Sequence, residues 1–369
     1  MRIFISLFLL LMGCSVEQLQ SLEVSHQFSD AYIRQNRGKV QYNVPEVYEL
    51  MHIAIALTPA GRRDCLLQRD TPYYRAVMAH FNMYRNHPLV TQVEKLLTAN
   101  RNNYADMSDA VGYLFDGDRI VFGGVYRRHP LHTSAKFADY RALAEDFARV
   151  TTFRAFFRDQ QPYYLATLSN YQQVVPITRM RAWLESQFPT RYDSYQLNLS
   201  PLMGCFHYTD NGRDNGFAET RMFVPLPGTN PGKSPVVYAA GQCRMVFTEI
   251  DHNYVNPVTS RYAKDLDEAM HDWRDWNTGQ QGYKSNELTF NEYMTWAVFT
   301  LYVFDTTTPA EFAQIQADPN VWVDPFMSNR GFKRFSAFND ELLIRYKARK
   351  SGQTVTDLYP AMLDWMSKQ

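Results

Sequence analysis

Val246-Phe247-Thr248-Glu249-Ile250-Asp251-His252-Asn253-Tyr254-Val255-Asn256-Pro257 is the stretch on which the reading of this chain turns. Positions four apart on a helix lie one above the other, so Thr248 and His252 share a face and Glu249 stands beside them. In the pattern H-E-x-x-H, imidazoles at those two places grip one Zn²⁺ while the glutamate takes a proton from the metal-bound water. Here Thr248 holds the place of the first imidazole. Glu249 is therefore expected as a general base and His252 as a metal ligand, with one ligand missing. A hydroxyl is a poor zinc ligand beside imidazole, so metal binding should be weakened.

A catalytic zinc site needs three protein ligands and one open position. His207, in Cys205-Phe206-His207-Tyr208, could replace the missing imidazole from a nearby strand, although a strand-end histidine is more often just hydrogen-bonded. Asp251 reads as a supporting or merely solvated carboxylate, Tyr254 as structural and His271 as a surface residue. His129 and His132 are three apart, but Pro130 and flanking arginines make that segment a loop. A site made of Cys205, His207 and Cys243 lacks any usual ligand spacing. The chain has no Gly-rich phosphate loop, no G-x-S-x-G elbow and no C-x-x-C pair. Nucleotide binding, serine hydrolysis and thioredoxin-like redox chemistry are thus unsupported.

With 369 residues, 45% hydrophobic and 21% charged, the chain can bury a full core. Its formal net charge of zero suggests no nucleic-acid partner. Residues 1–13 read as a signal segment, with Arg2 before a short apolar run. Leu11-Met12-Gly13-Cys14 resembles the lipobox of bacterial lipoproteins, which implies cleavage before Cys14, its lipidation and anchoring in the envelope. Ser15 after the Cys resembles a signal for outer-membrane retention. Of the remaining cysteines, Cys65, Cys205 and Cys243, the last two both lie close to the motif and are the expected disulfide.

Residues 14–43 are expected to be the lipidated Cys and a tether, followed by one domain over 44–369. Residues 44–190 have helical spacing, with a helix from Pro45 to a stop at Pro59 and others over 73–97, broken at His87-Pro88, and 104–115. Short strands are expected at 194–199, 201–208 (apolar, with turn residues beside it), 220–224 and 234–239, with loops at 210–216 and 225–235, in a strand-and-motif region over 191–305. Pro257 should stop the motif helix, and residues 306–369 return to helical spacing. The class is α+β, mainly helical, with a small sheet next to the motif helix.

Glu249, His252 and Tyr254 through Pro257 resemble the H-E-F-x-H-x-[FY]-V-N-P helix of an uncharacterised gluzincin-like family of exported bacterial proteins, a domain of unknown function. Phe290-Asn291-Glu292-Tyr293 is similar to the family's ligand-bearing helix, and Val44 to Leu50 to its N-terminal helix. The resemblance implies a zincin-like core, zinc as cofactor, Glu292 as the third ligand, and a peptide or protein substrate. Taken alone, Glu292 equally suits a helix N-terminus. Two functions remain open: a lipid-anchored zinc metallopeptidase with a degenerate site, and a non-catalytic envelope protein that keeps the scaffold for binding.

Overall fold

The computed structural model describes residues 28–63, 65–123, 137–205, 207–228, 232–280 and 282–369. The signal segment 1–13, Cys14, His129 and His132 lie outside them. Among the described residues, helices are the main element, with six strands β1 (Val40–Asn43), β2 (Tyr113–Asp116), β3 (Arg119–Phe122), β4 (Ser194–Leu199), β5 (Tyr208–Asp214) and β6 (Phe217–Val224). The α+β, mainly helical class holds. Strands β2 and β3 form a separate hairpin, and the others form a mixed sheet in the order β1-β4-β6-β5. Within it, β1, β4 and β6 run parallel and β5 runs antiparallel to β6.

Strand β6 is buried along its whole length because it is covered on both faces. Successive side chains alternate across a strand. Met222 and Val224 accordingly join one apolar core, and Phe223 between them joins another. The first core holds the motif helix (Pro235–Thr259), the partner helix packed along it (Asn286–Thr306) and the C-terminal helices. The second belongs to the N-terminal helices, among them Glu46–Leu57, which is buried from Val47 onward. The motif helix sinks Val246, Phe247, Ile250, Tyr254 and Val258 into the first core. Each such side chain contributes about 1.5–3 kcal/mol of burial. The sheet and the partner helix therefore fix which face of the motif helix stays accessible.

Several expectations need correction. Residues 28–43 are not all tether: Asp30–Asn36 is a helix and β1 pairs with β4 as the edge of the sheet. Ser234 to Ala239 is no strand but the start of the motif helix, whose Pro235 at the first turn supplies the φ a helix needs. The segment 210–216 is not a loop, since Asn215 and Gly216, both at positive φ, close a two-residue hairpin between β5 and β6. Residues 104–115 are a 3₁₀ stretch running into β2. Pro257 does not end the motif helix, which runs on to Thr259. It removes a single amide near the end of the helix, and the next turn is held by Ser260, whose N–H bonds the Asn256 carbonyl.

The disulfide also differs. Cys65 is bridged to Cys205, 140 residues away, and Cys243 is a free, buried thiol. The segments around residues 65–68 and 202–205 run side by side, with Gly204 N donating to Leu66 O at 2.8 Å and Cys205 N to Cys65 O at 2.7 Å. A Cβ on residue 204 would stand 1.9 Å from the Cys65 carbonyl, so this approach requires glycine. Cys243 instead faces the core across the motif helix, its Sγ 3.5 Å from Val174 O. Closeness in sequence to the motif was the wrong guide.

Candidate functional site

The motif helix presents Glu249 and His252 on its accessible side, and two different elements meet them. His207, directly before β5, places Nε2 3.2 Å from Glu249 Oε1, while its Nδ1 lies 3.1 Å from Cys205 O. His252 places Nε2 3.3 Å from Glu292 Oε1 on the partner helix. Its Nδ1 lies 3.3 Å from Thr295 Oγ1 and 3.4 Å from Asn256 Oδ1. Thr248 is buried and turns away, its hydroxyl donating to Met245 O at 3.2 Å within its own helix. The five sequence candidates thus form two pairs and an outlier.

Glu292 is bound on both sides. Beyond His252 on Oε1, its Oε2 accepts from Arg330 at 2.9 Å and from the Trp296 indole at 3.2 Å. Arg330 also reaches Tyr283 Oη at 3.0 Å and lies over the rings of Trp296, Tyr283, Phe326 and Phe332. Burial pushes the Glu292 carboxyl up, but the His252 hydrogen bond and the Arg330 charge outweigh it and hold it down at about 2. Burial pulls His252 down, and Glu292 followed by Glu249 reverses that, so the imidazole is held above its ordinary range. The result is a buried carboxylate between an imidazole and a guanidinium, joining the motif helix, the partner helix and the segment after Val323–Asn329.

Asp251 is not solvated, and its carboxyl faces the side chain of Thr295, the residue whose hydroxyl lies 3.3 Å from His252 Nδ1. It is fully buried, and burial, then Glu249 and Glu292, push its carboxyl well above the usual range.

The residues were tested against zinc. Two ligand atoms each about 2.0–2.1 Å from a tetrahedral zinc lie about 3.3 Å apart, which is the spacing within each His–Glu pair. Among the described residues, no group of three or more His, Cys, Asp or Glu side chains is arranged to hold a metal ion. A guanidinium on Glu292 Oε2 also opposes a second cation beside it. This ligand set does not fit a zinc centre with three protein ligands.

Sequence reasoning missed two features. Arg330 lies 38 positions beyond Glu292 (330 minus 292), where no helical or strand spacing links them. A second Glu-x-x-His, Glu49-Leu50-Met51-His52, sits on the Glu46–Leu57 helix with both residues fully buried. The Tyr73 hydroxyl donates to Glu49 Oε1 at 2.8 Å, and His52 bridges Tyr48 O at 3.0 Å and the Tyr104 hydroxyl at 2.6 Å. Burial moves Glu49 up to about 8 and His52 down to about 4. Its signal was legible: an E-x-x-H inside an unbroken apolar helix.

No curated protein and no solved structure matches the chain. The family model described as "Domain of unknown function (DUF4932)" matches residues 59–299, a span of 241 residues (299 minus 59, plus one) out of 369. That span contains His207, Glu249, His252 and Glu292 and ends before Arg330. With about two-thirds of its length matched, the chain belongs to this family.

Proposed function

We propose that this protein is a lipid-anchored envelope protein that uses a zincin-like helix pair as a binding scaffold and not as a zinc peptidase. The observation that supports this reading is the state of Glu292. Both its carboxylate oxygens are taken, one by His252 at 3.3 Å and the other by Arg330 at 2.9 Å. An internal guanidinium supplies the positive charge that a metal ion would bring, and it cannot polarise a carbonyl or ionise a water as a metal does. Thr248, bonded into its own helix, restores no ligand. Anchoring through Cys14, on the outer membrane, belongs to the same proposal. Among the described residues no helix is long and apolar enough to cross a membrane.

Zinc loading followed by exhaustive dialysis and metal analysis tests the reading. Wild type is expected to keep well under one zinc per chain. Stoichiometric zinc that is lost in Glu292→Ala, together with peptide hydrolysis, would overturn it and restore the degenerate peptidase.

A further inference from the structure

The motif helix carries a stripe of partly exposed residues: Tyr238, Gln242, Met245, Glu249, His252 and Asn256. Steps of four, three, four, three and four keep them on one face over about 27 Å. At its N-terminal end the stripe borders a cleft of about 440 Å³, a size typical of ligand sites. Leu67, Leu226, Met245 and the Cys65–Cys205 bridge line it, and among the described residues no charged side chain does. The His207–Glu249 pair lies next to this lining: Glu249 is one helical turn beyond Met245, and His207 is two residues beyond Cys205.

Three polar groups in the cleft wall suit an amide ligand. Gln68 makes no hydrogen bond through its side chain among the described residues. Gln242 uses its oxygen on Gly228 N at 2.9 Å, leaving its NH₂ to donate. The Tyr171 hydroxyl is buried without a hydrogen-bond partner among the described residues. A peptide backbone offers both the donors and the acceptors that these groups lack. Beyond the cleft, Glu249 gives His207 only Oε1, and among the described residues its Oε2 is neither buried nor paired. That oxygen invites a cation.

Spacing then sets the ligand. Met245 and Glu249 are about 6 Å apart along the helix axis, and residues i and i+2 of an extended chain are about 6.6–6.8 Å apart on the same side. We propose that the cleft and stripe bind an extended peptide with an apolar side chain in the cleft and a lysine or arginine, two positions away, on Glu249. This deepens the scaffold reading above and rests on it.

The test uses the full chain in detergent and the labelled, capped pentapeptide Ala-Leu-Ala-Lys-Ala, with fluorescence anisotropy as readout. The lysine peptide is expected to bind at least about tenfold tighter than its glutamate counterpart. Glu249→Gln should reduce that preference to under about threefold while a preference for Leu over Ser survives. Met245→Lys should remove binding altogether. Equal affinity for the lysine and glutamate peptides, discrimination unchanged in Glu249→Gln, or no saturable binding up to about 1 mM would overturn the proposal. Mass analysis of the recovered peptide separates the two readings. Cleavage would overturn the scaffold and leave the groove, whereas an intact peptide with no discrimination would overturn the groove alone.

Discussion

The Glu46–Leu57 helix and the motif helix each carry Glu-x-x-His, and the surroundings of the two are electrostatic opposites. On the Glu46–Leu57 helix, Glu49 and His52 are fully buried among hydroxyls and a backbone carbonyl. No cation is among the causes that set Glu49, and burial moves it up to about 8 and its neighbour His52 down to about 4, so both are neutral. On the motif helix, Glu249 and His252 meet partners from other elements, and His252 shares the buried Glu292 with Arg330. That carboxyl is as deeply buried as Glu49 yet stays near 2. Burial alone therefore makes a pair of core residues. A facing cation keeps a buried carboxylate charged, and so makes a polar site.

The sharpest way to break this contrast is to remove the cation. Arg330→Met should destabilise the protein by about 3–5 kcal/mol, because it strips the buried Glu292 carboxylate of one of its two charged partners and leaves Oε2 without its guanidinium. Denaturant unfolding at neutral pH measures it. An effect under about 1 kcal/mol would mean that Glu292 does not depend on Arg330.

Acid offers a second route. The folded value of Glu292 lies below its unfolded value of 4.5, so its contribution is present above pH 4.5 and lost as pH falls through about 2. With about 1.4 kcal/mol per unit, that limb is worth up to about 3 kcal/mol. In Glu292→Gln the acid limb of the stability curve should be shallower.

Glu49 should behave with the opposite sign. Its folded value is raised, so its stability contribution is complete below pH 4.5 and falls as pH rises toward about 8. Glu49→Gln keeps an acceptor for the Tyr73 hydroxyl and should gain up to about 4 kcal/mol at pH 8 with little change at pH 4. A loss at pH 8 would show that Glu49 is ionised in the core. The smallest effect is expected at Thr248→Val, within about 1 kcal/mol, since the lost hydroxyl bonds only to its own helix.

Much of the architecture was legible in the sequence. Apolar spacing placed the helices around 46–57 and 88–99, the resemblance at Phe290 to Tyr293 pointed to the helix at 286–306, and alternation placed β4. The misses have specific physical sources. Val236 and Val237 mimic a strand until the helical run of Val237, Ala240, Cys243 and Phe247 is followed to its end. Asn215-Gly216 was a readable hairpin signal hidden in a polar segment. At the site, the motif drew the eye to Glu249, His252 and Glu292, which the fold does gather near one helix face. What each of them faces depends on Arg330, Cys65 and the turn before β5, contacts across long separations that no local period encodes.

The most direct test is a carboxyl-carbon NMR titration of chains labelled at glutamate, with Glu49→Gln and Glu292→Gln assigning the two signals. Glu49 is expected to titrate near 8 and Glu292 to stay ionised down to about 2. If both titrated together near 4.5, the value of a free glutamate, the facing cation would not be what separates the two helices.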